Sequence, residues 1–452
     1  MDKRMDMPVK SPEARSQAPD FHFTPEMIPI RTGAVNTPQY LIDYRMRGWN
    51  AFQSLPLPST SEEAWRRTSI RTLKVGELVF PGDDAYIELP KPTAEYLKPL
   101  GDDKVGGQIV IFPGSFSTRY LNPDLQAKEI IFTDLIEAEQ RYPDILEKIL
   151  GQIVQQDESK FTALTSAFAQ NGVLVYIPRG VIVNEPLHSL IWGGGIGMAN
   201  LSHVLVWLEQ GASLTYVHEF ASKTEASGQT LHSGIVEIYV GEGANLKFIE
   251  MQSWGKHVMN FSRERVNVNK DANLDWVIGS MGSHLTKSFF DINLVGRGAK
   301  ANISGFYFPD GVQHLDLDTQ QNHLEPNTKS DLLFKGVLKD RSHSVWQGMI
   351  YVARGAQKAD GYQANRNITI SPTARADSIP GLEILADDVR CTHGVSVGKV
   401  DPDQIFYMQS RGISKDEARR LIVEGFFNPI LQRIPYQGLV KRLQKEIKKK
   451  ME

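Results

Sequence analysis

A short turn followed by a strand-like run recurs through the middle of the chain. It is written Arg179-Gly180-Val181, Gln210-Gly-Ala-Ser-Leu214, Glu242-Gly-Ala-Asn-Leu246, Lys270-Asp-Ala-Asn-Leu274, Arg297-Gly-Ala-Lys-Ala301, Pro326-Asn-Thr-Lys-Ser330 and Arg354-Gly-Ala-Gln-Lys358. The third residue of each pattern falls at 181, 212, 244, 272, 299, 328 and 356, so successive gaps run from 27 to 32 residues. The next step falls near 384–388, where Ala386-Asp387-Asp388 stands. A period of this length marks a solenoid, a propeller or an array. Each unit holds two short alternating strands and no helix, which disfavours the helical repeat families. A four-stranded propeller blade needs about 40 residues or more. A stacked β-solenoid fits, and because parallel crossovers are nearly always right-handed the expected fold is a right-handed parallel β-helix.

The flanks follow a different pattern. Residues 1–20 are polar, hold Pro8, Pro12 and Pro19, and read as disordered. Residues 21–104 read as a small helical subdomain. Thr37-Pro38 has the form of a helix start, Tyr40, Leu41, Tyr44, Trp49 and Phe52 recur at helical spacing, and Leu55-Pro-Leu-Pro58 stops the run. Residues 105–400 form the solenoid. Within it Asp134 and Pro143 announce a helical insertion near 134–169. Residues 401–452 are helical again: Gly412 stops a first helix, Ser414-Lys-Asp-Glu417 is a capping box for a second ending before Pro429, and a third follows Pro435. Lys441, Arg442, Lys445, Lys448, Lys449 and Lys450 give the last helix a basic face, read as solvated or as a docking surface.

Composition removes several function classes. The 452 residues carry a net charge of −3, which argues against a general nucleic-acid binder. No apolar run reaches the ~18 residues of a membrane span, and the start MDKRMDMPVK has no apolar leader, so the expected location is cytoplasmic. No Gly-x-x-x-x-Gly-Lys-Ser/Thr loop occurs, so the chain carries no P-loop ATPase motif. Gly193-Gly-Gly-Ile-Gly197 precedes a strand pattern and reads as a solenoid turn rather than a dinucleotide fingerprint. His314 and His323 could meet on neighbouring strands as a metal pair. Asp387-Asp388 reads as a turn.

Cys391 is the one cysteine, and it stands two residues from His393. On an extended segment both side chains project from one face. Thiolate and imidazole suit iron, yet two ligands leave a cluster incomplete, so a second chain would supply the rest. The alternative is a buried structural cysteine.

The stretch from Gly355 to Asn367, then Ser371-Pro-Thr-Ala-Arg-Ala-Asp-Ser378 with Pro380-Gly-Leu-Glu383, then Asp387-Asp-Val-Arg-Cys-Thr-His-Gly394 and Ser410-Arg-Gly-Ile413, resembles the SufB/SufD family of iron–sulfur cluster assembly proteins. Leu164 to Gly180, and Leu55-Pro-Leu-Pro58 with Glu63-Ala-Trp-Arg66, extend the likeness over most of the chain after residue 35. Ala374 and Arg375, with Cys391-Thr-His393-Gly394, match the SufD side of the family. The resemblance implies a non-catalytic scaffold subunit that pairs with a SufB-like subunit through its β-helix, or with itself in isolation. It implies a SufC-like ATPase docked on the C-terminal helices, where Phe406, Leu421, Ile422, Phe426 and Phe427 are the apolar candidates. It also implies a transient iron–sulfur cluster near the subunit join, with His393 and, secondarily, Cys391 beside it. A polysaccharide-acting β-helix enzyme and a passive solenoid are the competing readings.

Overall fold

The computed structural model describes residues 20–32, 36–82, 85–98, 104–114 and 116–452. Residues 1–19, read from sequence as disordered, lie outside the described residues. The fold is a parallel β-solenoid built from two sheets, with helical regions before and after it.

Among the described residues one sheet, here sheet one, has ten strands, and sheet two has nine. Each coil contributes one strand to each. Asn245–Ser253 lies in sheet one and Val258–Val268, its successor in the chain, lies in sheet two. Neighbouring coils pair in parallel and in register: Asn273 pairs with Asn245 and with Lys300, which pairs with Lys329, and so on to Arg390.

The repeat of the sequence is the corner of this ladder. The Ser213, Asn245, Asn273, Lys300 and Lys329 amides each donate to the carbonyl of the corner residue one coil back: Val181, Ala212, Ala244, Ala272 and Ala299. The residue before each corner is left-handed: Gly180, Gly211, Gly243, Asp271, Gly298 and Asn327 have φ of 71°, 69°, 65°, 53°, 75° and 60°. Only Gly, Asn or Asp adopts that conformation at little cost, which is why the pattern is written with those residues. The corner residue itself points into the core, where Ala212, Ala244, Ala272 and Ala299 are fully buried.

One step of the periodicity is corrected. Asp360 donates to Thr328 and Arg390 to Ala359, so the column runs through Ala359 and Val389 rather than residue 356. The turn at 353–359 is two residues longer than those at 295–299 and 324–328 and holds two left-handed residues, Gly355 and Lys358. The Gly-Ala pair at 355–356 imitates the motif one register early.

Alternation along each strand sends one face inward. Leu246, Phe248, Trp276, Ile303 and Phe334 of sheet one meet Val266, Phe290, Ile292, Leu317 and Trp346 of sheet two in a continuous core. Each such side chain contributes about 1.5–3 kcal/mol by leaving water. Both outer faces are covered. Helix Lys160–Phe168, with Phe52 and Trp65, packs on Leu201, Leu231, Met259 and Phe261 of sheet two. Helices Lys415–Leu431 and Gln437–Met451 pack on Val217, Ile249, Val277, Phe306 and Phe308 of sheet one.

The flanking elements adjust several boundaries. The first long helix is Gln39–Ser54, with Pro38 at its cap, and the Thr37 hydroxyl accepts from the Arg31 amide instead of capping it. The run near Trp65 is a single 3-10 turn, Glu63–Trp65, so the N-terminal region is a covering strap more than a separate bundle. The insertion forms three helices, Leu135–Arg141, Pro143–Ile149 and Lys160–Phe168. Ser414 accepts from the Glu417 amide at 3.3 Å, but the Glu417 carboxylate pairs with Arg420 instead of closing the box. Helix Lys415–Leu431 continues through Pro429. Proline forfeits one bond there, to the Gly425 carbonyl, and Gly425 is exposed so that water can take its place.

Candidate functional site at the open end of the solenoid

The last coil is made by Arg375–Ile384 in sheet two and Arg390–Lys399 in sheet one. Each pairs on one side only, so each presents an unpaired edge. Pro380 lies on the first of these strands, where its missing N–H costs no ladder bond, as an edge position allows.

Cys391, His393, Val395 and Val397 alternate along the final strand. They sit in register with Gly361, Gln363, Asn365 and Asn367 of the coil below, all of which face the interior. The predicted pair of Cys391 and His393 therefore shares the inward face of the end coil. His393 is exposed and Cys391 is half-buried. Across the opening, Leu382 and Ile384 continue the column of Ile350 and Val352. The apolar lining is wet here: Val395 is 46% exposed, Val397 51%, Leu382 38% and Ile384 38%.

Cys391 packs beside Ala353, Ala386 and Val389 around Ile350 and Val352. Burial pushes its thiol above the usual cysteine range, an effect partly offset by a backbone hydrogen bond at Gly361. It is held mainly as a thiol, and binding iron would require losing that proton. Gly361 makes room beneath it, since a Cβ there would stand a tight 3.1 Å from His323 Nε2 and 3.4 Å from Cys391 Sγ.

Gln363 forms the floor under His393. Its amide donates to the carbonyls of Gly381 at 3.0 Å and Gly348 at 3.3 Å, tying the two sheets together under the opening. It lies within the block that carries the family likeness, but no local feature singles it out, because its role comes from carbonyls 15 and 18 residues away on strands of the other sheet. Among the described residues no group of three His, Cys, Asp or Glu side chains converges to hold a metal.

His314 and His323 do not form a metal pair. They are the two ends of one strand, His314–His323, on opposite faces. His314 touches Thr68 of the N-terminal strap at 2.8 Å, whereas His323 is buried inside between Thr328 and Ser330. An odd separation on one strand forces that outcome. Gly193 to Gly197 joins strands Leu187–Trp192 and Ala199–Leu208, and Asp387-Asp388 lies in a corner turn.

The docking candidates divide. Phe406 projects from helix Pro402–Ser410 and is 73% exposed, with Tyr407 beside it. Leu421, Ile422 and Phe426 are half-buried. Phe427 is removed from the set: it is fully buried against Phe306 and Phe308 and belongs to the chain's own core. The basic face of the last helix is also divided. Arg442 is buried, in ion pair with Glu219 and over the Tyr96 ring, while Lys450 pairs with Asp310 at 2.6 Å. Sequence periodicity could not separate these cations from the solvated Lys441 and Lys449, because their carboxylate partners are more than 100 residues distant.

A cluster on the outside of sheet two has no sequence signal of its own. Lys287, wholly buried, lies 3.0 Å from Asp316 and 2.9 Å from Asp318, under Trp65 and Phe289. Thr68 reaches Asp316 and His314 together. Burial and the neighbouring Asp316 charge raise the Asp318 carboxyl to about 7, against the pull of Lys287. This cluster locks the N-terminal strap to the solenoid.

Comparison with known proteins places the chain in a family. The SufBD core domain of the SUF iron–sulfur cluster assembly system matches residues 191–426, and the SufBD N-terminal region matches residues 34–188. The chain is similar to an iron–sulfur cluster assembly SufBD family protein of Staphylococcus aureus strain USA300, 27% identical over 425 residues, 92% of this chain and 90% of that protein. It is equally similar to the iron–sulfur cluster assembly protein SufB of Bacillus subtilis, 27% identical over 444 residues, 95% of this chain and 93% of the relative. No described helix is long and apolar enough to cross a membrane. With the core model alone spanning more than half of it, the chain belongs to the SufBD family of iron–sulfur cluster assembly proteins.

Proposed function

We propose that the chain is a SufD-like, non-catalytic scaffold subunit of a cytoplasmic iron–sulfur assembly complex. It pairs through its open end with a SufB-like subunit, or with a second copy of itself in isolation. The observation that carries this reading is the uncapped last coil. Two unpaired strand edges and four exposed apolar side chains border His393 and Cys391. An edge of this kind is a template for adding another chain, and a soluble protein rarely leaves one bare.

Pairing along that edge would bring a partner's side chains over His393 and complete a donor set that two residues cannot supply. The cluster is cargo, held transiently at the join. His393 would ligate iron or carry a proton, and Cys391 is the secondary candidate. A SufC-like ATPase would dock on the exposed surface of the C-terminal helices, with Phe406 as the main apolar contact and Leu421, Ile422 and Phe426 at its margin. The SufD side is favoured over SufB by Ala374, Arg375 and the Cys391-Thr-His393-Gly394 run.

The test is co-purification of the tagged chain with SufB-like and SufC-like subunits. Val395→Asp with Val397→Asp is expected to abolish recovery of the SufB-like subunit and leave the isolated chain folded. Phe406→Ala is expected to lose the ATPase alone. Recovery of both partners with both variants would place the interfaces elsewhere.

A further inference from the structure

The solenoid interior contains an acidic pair to which the proposed function assigns no role. Glu250 lies on Asn245–Ser253 and Glu264 on Val258–Val268, the two strands of one coil. Glu250 follows Leu246 and Phe248, and Glu264 precedes Val266 and Val268, so alternation turns both carboxyls inward. They are 4% and 2% exposed. One oxygen of Glu264 accepts from Ser262 at 2.8 Å. Among the described residues Oε2 of each carboxyl has no partner within hydrogen-bond distance, and the Trp276 indole is the N–H group nearest in effect to Glu250.

Among the described residues no Lys or Arg acts on them. On the neighbouring strand of sheet one stand Tyr216 and His218, the latter in register with Glu250. On the other side are Trp276 and Ile278. In sheet two Glu264 is flanked by Val236 and Phe290, with Ser262 and Ser288 beside it and His232 farther along. His218 and His232 are driven by burial to about 3 and about 4 and stay neutral. Two ionised carboxylates in this setting would have neither counter-charge nor enough donors.

We propose that Glu250 and Glu264 share a proton, which joins sheet one to sheet two in the middle of the solenoid as a pH-sensitive latch. The missing donor for the two orphaned oxygens is that proton. Burial raises both carboxyls, Glu264 to about 7, and each raises or relieves the other through the shared contact. The sign follows. The folded state keeps a proton that the unfolded chain releases above the ordinary carboxylate range. Stability from the latch is full below that range and falls as pH rises through about 7.

Two measurements test this on the full chain. Proton release on unfolding at pH 6 is expected to exceed that of Glu264→Gln by about one proton per molecule, since an amide supplies the donor without titrating. Infrared difference spectra of the folded chain between pH 5.5 and 8.5, taken in an Asp318→Asn background to remove the other carboxyl raised to about 7, are expected to show loss of protonated carboxyl intensity that Glu250→Gln and Glu264→Gln each reduce. Should the variants fail to fold, absence of any protonated carboxyl band at pH 5.5 in the wild type still overturns the proposal, whereas its presence must survive Asp318→Asn. Unchanged proton release, or no protonated carboxyl at pH 5.5 in the wild type, overturns the proposal.

Discussion

The two ends of the solenoid are built from the same ladder and finished differently. At the N-terminal end, short antiparallel strands close the sheets, Gly107–Ile111 against Ser117–Leu121 and Ile131–Asp134 against Asn171–Ile177. The connection between them folds over the opening, so that Leu125, Ile130 and Phe132 enter the inter-sheet core at 3%, 4% and 6% exposure. At the C-terminal end nothing comparable follows Lys399. The chain leaves directly into helix Pro402–Ser410, and the apolar column stays wet. Side chains of one chemistry are thus core at one end and surface at the other. The difference lies in whether the chain supplies the next layer, and its absence marks the end at which another chain can.

The largest effect that could break this comparison is at the closed end. Phe132→Ala is expected to cost about 3–5 kcal/mol in urea unfolding, because the cap cannot collapse onto the lost volume. A loss below about 1 kcal/mol would mean the cap is not core. Next comes the pin that draws the last helix back to this end. Arg442→Ala strands Glu219 in a buried site, and breaking such a pair costs about 3 kcal/mol. Despite burial, Arg442 and His188 hold the Glu219 carboxyl below its ordinary range. Its contribution is therefore present above the ordinary carboxylate range and is lost as pH falls below it. Tm measured from pH 7 down to pH 3 should fall for the wild type and stay flatter for Arg442→Ala.

Smaller effects sharpen the open end. Lys358 is exposed and left-handed at φ 61° in the last full corner, so Lys358→Gly is expected to raise stability by about 1 kcal/mol. A decrease would show that its side chain is used. Val397→Ala should change the stability of the isolated chain by less than about 0.5 kcal/mol, as exposed sites do, while measurably weakening recovery of a partner. A core-sized loss in the isolated chain would show that the open end is covered from within.

The solenoid was legible because its corner demands a left-handed residue and then a small buried one, and Gly-Ala, Asp-Ala and Asn-Thr spell that demand in sequence. The register error at 356 came from the same source, since the longer turn at 353–359 carries a Gly-Ala pair of its own. Cys391 and His393 could be placed on one face because strand alternation is local. Their exposure could not be read, because it depends on the absence of a next coil. Phe427 and Arg442 were misplaced for a related reason. Helical periodicity gives a face but not what covers it, and sheet one covers both. That burial also changes how docking must be tested. Removing residues 414–452 would uncover Val277, Phe306 and Phe308, so a point change at Phe406 is the cleaner probe.

The central claim is that the open coil works on the cluster through His393. The direct measurement is iron and sulfide content of the anaerobically purified three-subunit complex carrying His393→Ala. The account predicts normal folding, normal recovery of both partners and loss of iron and sulfide relative to wild type, with Cys391→Ser milder. Wild-type iron and sulfide in the His393→Ala complex would contradict it.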